Sequence, residues 1–228
     1  MTQPYKFPEP KTASQATYVE SIQKNVLTIC TGKAGSGKTF LALAEAVKLI
    51  QEAGKHRKGK GRFKKLVIIR PYIPSNTGEK LGALPGTLDE KVAPYAASIR
   101  DNLSQFITNP DVVTQLMNQV IEFTVLSTCR GRSFTDCFIL VEEGQNVPLD
   151  GGAMKMLLTR IGKNCKMVIA GDLDQCDIAS ERSSLPMAMS MLDDLEGVGL
   201  VEMEGYEDVQ RSPLVRNILR RFDEWQNE

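Results

Sequence analysis

The stretch that decides the fold is VLTICTGKAGSGKTFLALAEAVKLIQEAG, residues 26–54. Its first six residues, 26–31, are mostly apolar and rich in β-formers, which predicts a buried strand. Residues 39–53 carry apolar side chains at helical spacing, and Gly54 follows as a stop signal. Between strand and helix stand Gly32-Lys33-Ala34-Gly35-Ser36-Gly37-Lys38-Thr39, which fit G-x-x-x-x-G-K-[ST]. The glycines let the backbone curl until successive N–H groups face one centre, and the positive end of the following helix faces the same point. Such a cradle holds phosphates. Lys38 is positioned to neutralise the β- and γ-phosphates, and the Thr39 hydroxyl to ligate magnesium. The expected ligands are therefore ATP and Mg2+. GTP is disfavoured because no guanine-reading N-K-x-D occurs.

Working outward, residues 66–69, 121–127, 137–141, 166–170 and 200–203 read as further strands. Residues 88–106 (with Pro94 as a kink or break), 149–161 and 213–225 read as helices. Apolar strands alternating with helices predict a three-layer α/β domain whose mostly parallel sheet is covered by helices on both faces. Residues 15–228 are expected to form that one domain behind an N-terminal extension, 1–14. In such sheets ligands bind beyond the carboxyl ends of the strands. The unusual residues of this chain fall there.

Residues 138–143 (FILVEE) deliver two acids at a strand end. Glu142 is expected beside the magnesium and Glu143 beside the attacking water. Gly171-Asp172-Leu173-Asp174-Gln175 follows another strand, and Gln175 is the candidate to sense the γ-phosphate or hold water. A hydrolase of this type needs added positive charge on that phosphate. Arg211 and Arg160 are the candidates, from the same or a neighbouring chain, with Arg130 and Arg132 as further arginines. The basic run 55–65 (KHRKGKGRFKK) is suited to a nucleic-acid backbone, with Phe63 to stack a base, and equally to a solvated loop.

Composition sets the outer bounds. Lys plus Arg and Asp plus Glu are 28 each, so a uniformly basic nucleic-acid coat is excluded. One histidine, His56, leaves little room for a histidine triad or a multi-histidine metal site. Five cysteines without a C-x-x-C pair point to a reducing cytoplasm rather than a disulfide framework. No apolar run reaches the roughly 18 residues of a membrane span.

The combined string resembles the PhoH-like family, RecA-like P-loop ATPases related to superfamily 1 helicase cores. The matching pieces run in family order: 32–39; Arg70-Pro71 with 78–82 and 84–86; 130–132; Glu142-Glu143-Gly144-Gln145-Asn146; 154–162; 171–175; and Arg211-Ser212-Pro213-Leu214-Val215. The resemblance implies a RecA-like ATPase, coupled to single-stranded RNA or DNA, with helicase or remodelling activity. It also implies that Gln15 contacts the adenine edge. The family pattern has aspartate where this chain has Glu142, so the carboxylate reaches magnesium differently and hydrolysis is expected to be slower than in relatives. A single RecA-like core also needs a neighbouring subunit to complete its cleft, so a homo-oligomer, a hexameric ring for example, is expected. Two rivals stay open: a nucleotide-gated binding module with little hydrolysis, and a small-molecule phosphotransferase.

Overall fold

The computed structural model of the chain describes residues 4–55, 63–71 and 88–226. Six strands form one sheet: β1 (Leu27–Gly32), β2 (Lys65–Arg70), β3 (Ile121–Val125), β4 (Cys137–Val141), β5 (Lys166–Gly171) and β6 (Val198–Met203). Their order is β3-β2-β4-β5-β1-β6, and every pairing is parallel. The central strands β1, β4 and β5 are buried along their whole length. That is why they read as near-continuous apolar runs rather than as alternating ones.

Alternate side chains feed two cores. Leu66, Ile68, Phe138 and Leu140 pack with α1 (Ala13–Lys24), α2 (Lys38–Lys55), α3 (Leu88–Ser104) and α4 (Pro110–Gln119). Val67, Ile69, Ile139 and Val141 pack with α5 (Ala153–Leu158) and α6 (Leu185–Leu192) on the other face. The three-layer α/β expectation holds. A last helix, α7 (Pro213–Gln226), lies beyond β6 in the chain.

Several boundaries differ from the sequence reading. The helix expected over 149–161 shrinks to α5, because Gly151 and Gly152 take left-handed φ values of 71° and 65° and break its start. The strand expected over 121–127 stops at Val125 and continues as a 3-10 turn, Leu126–Cys129. Helices α1, α4 and α6 had no counterpart in that reading. In α1 the buried face includes Gln15 and Ser21, so apolar periodicity does not reveal it. Its start is marked instead by Thr12, whose side chain accepts from the Gln15 N–H. Residues within the expected extension pack on the domain: Tyr5 stacks on Phe7, which meets Phe106 at the end of α3.

Candidate active site

Strand β5 lies between β1 and β4. Its carboxyl end therefore stands between the glycine-rich loop after β1 and the two acids after β4. A cleft of about 460 Å³ opens along this edge. It is lined by Gln15, Ala34, Gly35, Gly37, Lys38, Thr39, Arg70, Glu142, Glu143, Asp172, Gln175 and Arg211, among others.

The loop is built on glycine where nothing else fits. Gly35 has φ +82°, and a Cβ there would come within 2.8 Å of the Arg211 side chain. Gly37 has φ +92°. Gly32 joins the loop to β1, Lys33 N–H donates to the Met203 carbonyl of β6, and Ser36 is fully buried beneath. Lys38 Nζ donates to the Gly32 carbonyl, to the Lys33 carbonyl at 3.0 Å and to Ser36 Oγ at 3.3 Å. Burial lowers the Lys38 pKa, while Asp172 and other neighbouring anions pull it back up.

Opposite the loop, Glu142 is buried and hydrogen-bonded to the Thr39 side chain. Burial raises its pKa, with Arg70 and the Thr39 bond acting in the other direction. A buried carboxylate that burial drives towards protonation, beside a hydroxyl at a helix start, suits a hard cation. Among the described residues no group of three or more His, Cys, Asp or Glu side chains gathers as a metal cage. A magnesium ion here would thus use Thr39 and Glu142 with phosphate and water oxygens completing its shell, the usual arrangement for this ion.

Glu143 adopts left-handed backbone angles, φ 52° and ψ 45°. A non-glycine residue in that region is uncommon and marks a constrained turn. Its carboxylate is held from two sides, by Arg70 Nη2 at 3.4 Å on Oε1 and by Gln145 Nε2 at 2.7 Å on Oε2. Arg70 in turn lies over the Tyr95 ring of α3, 4.1 Å from its centroid. Gln175 is exposed at the mouth of the cleft, and Asp172, buried beside Lys38, has its pKa raised by burial.

Three further residues singled out in the sequence are placed as follows. Arg160 does not line the cleft of its own chain. It sits at the amino edge of the sheet, where its guanidinium donates to the carbonyls of Met156 at 3.0 Å and Arg132 at 2.7 Å and to Thr159 Oγ1. Those bonds cap the end of α5, which is the ordinary work of a cation at a helix C-terminus. Gln15 lines the cleft and is 3% exposed. Its Oε1 accepts from Lys11 N–H at 2.8 Å and its Nε2 donates to the Ser36 carbonyl at 2.9 Å, so it braces the phosphate loop from below. Phe63 is buried, which removes it as a base-stacking platform. The rest of the basic run, residues 56–62 with His56, lies outside the described residues, as do the family pieces at 78–82 and 84–86.

Arg211 lies beside the loop of its own chain: its side chain packs on Gly35, and the adjacent Gln210 N–H donates to the Gly35 carbonyl at 2.9 Å. Two residues that were not assigned roles from the sequence also matter here. Arg70 was visible only as an arginine after a strand. Gln145 was quoted only within the acidic motif. The signal that could have found them is position, since both follow strands at the carboxyl edge.

The architecture is that of a three-layer P-loop NTPase of the RecA-like kind. Among solved structures it is similar to the large terminase of a thermophilic bacteriophage, with a TM-score of 0.51 and 9% sequence identity, over 96% of this chain and 50% of that one. The sequence profile of the PhoH-like protein family matches residues 9–223, and the chain belongs to that family. A PhoH-like protein of Synechocystis sp. is 37% identical over 219 residues, 95% of this chain and 62% of the relative. Protein PhoH of Escherichia coli K12 is 31% identical over 92% of this chain and 56% of the relative. The chain thus spans about six tenths of the length of the curated relatives it matches. Among the described residues no helix is long and apolar enough to cross a membrane.

Proposed function

We propose that this chain binds ATP with magnesium and hydrolyses it, and that turnover is coupled to single-stranded RNA or DNA. The observation that carries the reading is the meeting of Thr39, at the end of the phosphate loop, with the buried carboxylate of Glu142, while Glu143 stands beside it in the same cleft. Phosphate binding alone would need only the loop. The acids on the facing strand are what hydrolysis adds.

In this reading the loop N–H groups and Lys38 hold the β- and γ-phosphates. Thr39 and Glu142 would hold magnesium, which would supply charge neutralisation. A water attacks the γ-phosphorus as the bond to the β-bridging oxygen breaks, releasing ADP and phosphate. Glu143 orients that water and accepts its proton. Gln175 reads the γ-phosphate, and Arg211 adds positive charge from the same chain. Gln15 braces the loop at Ser36 and contacts the adenine edge from within the same cleft.

Glu142 also favours a second reading. Its buried side chain is one methylene longer than the family's aspartate, and metal placement governs phosphoryl transfer. A nucleotide-gated binding module with little hydrolysis follows if the carboxylate misplaces the ion. Nucleic-acid coupling rests on the family resemblance and on the basic run 55–65. A homo-oligomer is expected because one core offers one half of a cleft.

The test is phosphate release from ATP and Mg2+, alone and with single-stranded RNA or DNA, with no other acceptor present. Release stimulated several-fold by one nucleic acid supports the proposal. Tight ATP binding with negligible release under all conditions supports the binding module instead. Release that neither polymer changes removes the coupling and leaves the ATPase.

A further inference from the structure

Gln145 is fully buried at the junction of the two turns that frame the cleft, and its amide spans both. Nε2 donates to Glu143 Oε2 at 2.7 Å and to the Gln175 carbonyl at 3.0 Å. Oε1 accepts from the Asp172 N–H at 3.0 Å. We propose that Gln145 is a positioning residue for hydrolysis: it pins one oxygen of Glu143, leaves the other, Oε1, as the atom that takes the proton from water, and ties that orientation to the turn carrying Gln175. The proposal rests on the hydrolysis reading above.

The partners fix which way the amide points. Rotating it by half a turn would set its oxygen against a carboxylate and a carbonyl, and its NH2 against an N–H. No other side chain of this length meets the same three demands. Glutamate turns an acceptor towards acceptors unless it is protonated. Methionine fills the space and leaves a buried N–H, a carbonyl and a carboxylate oxygen without their partner.

The backbone is shaped for this contact. The left-handed turn at Glu143 redirects the chain after β4. Gly144 then passes so close to β5 that a Cβ there would come within 2.5 Å of Ile169 Cγ2. On the other side, a Cβ on Gly171 would stand 3.2 Å from Gln145 Oε1 and 2.5 Å from Leu185 Cδ2. Two side chains are thus omitted where the amide crosses between strands. The neighbouring Asn146 repeats the device further out, exchanging bonds of 2.7 and 2.8 Å with Asp177.

The two holds on Glu143 are unequal. The Gln145 bond at 2.7 Å is short, and the Arg70 contact on Oε1 at 3.4 Å is at the limit of a hydrogen bond. Arg70 also has the Tyr95 ring to rest on. The oxygen that Arg70 touches is therefore the one that can be released to a water. A shift of Gln175 towards a γ-phosphate pulls on its carbonyl, which shares Nε2 with Glu143. Sensing of the phosphate and alignment of the base become one motion.

The experiment compares the full chain with its Gln145→Met and Gln145→Glu variants. It measures ATP affinity, kcat across pH and the folded fraction at each pH. Gln145→Met is expected to lower kcat roughly tenfold to a hundredfold, the cost of a misplaced catalytic group, with ATP affinity within about threefold of wild type. Gln145→Glu has a sharper signature. With one proton shared between residues 143 and 145, the new acid donates its single O–H to Glu143 and leaves the Gln175 carbonyl without its donor, so the hold on Glu143 and a part of the activity persist. As pH rises and that proton leaves, the two carboxylates repel, and kcat per folded molecule falls along an alkaline limb that wild type lacks. A purely structural role would lower the folded fraction without adding that limb. Folded variants with wild-type kcat and an unchanged pH profile overturn the proposal, as does loss of the fold in both variants at every pH. A wild-type chain that releases no phosphate overturns the hydrolysis reading together with it.

Discussion

The two edges of the sheet use the same residue types and finish them differently. At the amino edge, Lys166 donates to the carbonyls of Asn25 and Gln23, Arg160 to those of Met156 and Arg132, and Cys137 and Cys165 face each other at 3.4 Å in the core. Lys166 and Arg160 end largely on backbone oxygen, while Lys65 and Arg132, at the same edge, pair with Glu122 on the outside of the sheet. At the carboxyl edge the charged groups gather around a cleft: Glu142 bonds Thr39 beside Arg70, Glu143 bonds Arg70 and Gln145, and Lys38, whose Nζ donates to the Gly32 and Lys33 carbonyls, lies in the field of Asp172, Glu204 and Glu143. Burial raises the pKa of Glu142 and of Asp172 there. The lesson is that a buried charge by itself does not mark function. What distinguishes the site is carboxylates held in a cleft at a cost that a bound cation or phosphate can offset.

Two lysines give the largest contrast. Burial lowers the pKa of both Lys38 and Lys166. Lys38→Met is expected to cut ATP turnover by at least about 10²–10³-fold, the scale of losing one oriented charge donor, with a small change in melting temperature. Lys166→Met is expected to leave turnover per folded molecule within about twofold while lowering stability by about 1–3 kcal/mol, because two carbonyls lose their donor. Arg160→Met should behave like Lys166→Met. Phosphate-release rates and thermal melts on the same samples separate the two outcomes. A folded Lys166→Met or Arg160→Met chain without turnover would erase the distinction between the edges.

Most of the carboxyl edge was legible in the sequence because its residues must be contiguous. A cradle of N–H groups needs glycines within a few positions, so 32–39 announces itself. Two acids after an apolar strand do the same for Glu142 and Glu143. The strands β1, β4 and β5 were legible because burial on both faces leaves unbroken apolar runs. Gln145 was not, because its role comes from a contact with Asp172 and Gln175 about thirty residues away. The place of Arg160 was hidden for the same reason: a helix-end arginine looks alike at either edge until the topology is known. The bond from Gln15 to the Ser36 carbonyl beneath the loop was equally invisible, because it too links residues about twenty positions apart. Helix α1 stayed hidden because its buried face carries polar groups that bond inward, such as Ser21 to Thr28 at 3.0 Å.

A subtler contrast is thermodynamic. Burial lifts the Glu142 pKa above its ordinary value of 4.5. Between that value and the raised one the folded chain binds more protons than the unfolded chain. Stability therefore falls as pH rises through this window, and the deficit persists at neutral pH. Glu142→Gln removes the ionisation and keeps the shape. In the absence of nucleotide it is expected to melt higher than wild type at pH 7, by roughly 2–4 °C for each kcal/mol recovered, and to show a flatter dependence on pH above 4.5. With ATP and Mg2+ the order should reverse, since the variant gains less from the ligand. Equal melting of the two chains at pH 7 without ligand would mean that Arg70 and Thr39 fully compensate the buried charge.

The smallest effect concerns what holds the phosphate loop from outside. Lys33, within the loop, bonds Asp223 of α7 at 2.7 Å and Asp174 at 3.3 Å and lies over the Tyr206 ring. Tyr206 in turn donates to Asp223 at 2.6 Å. The Lys33 and Asp223 side chains are 15% and 25% exposed, whereas Asp174 is 59% exposed. Solvent screens the second pair more, so the two should not be equal. A double-mutant cycle of Lys33→Met with Asp223→Asn is expected to give a coupling of about 0.5–1 kcal/mol, and one with Asp174→Asn less than about 0.3 kcal/mol. If the first coupling is present, the loop is anchored to a helix almost two hundred residues away in sequence. If both couplings vanish, the ion pairs do not anchor the loop, and the two edges are more alike in rigidity than their charges suggest.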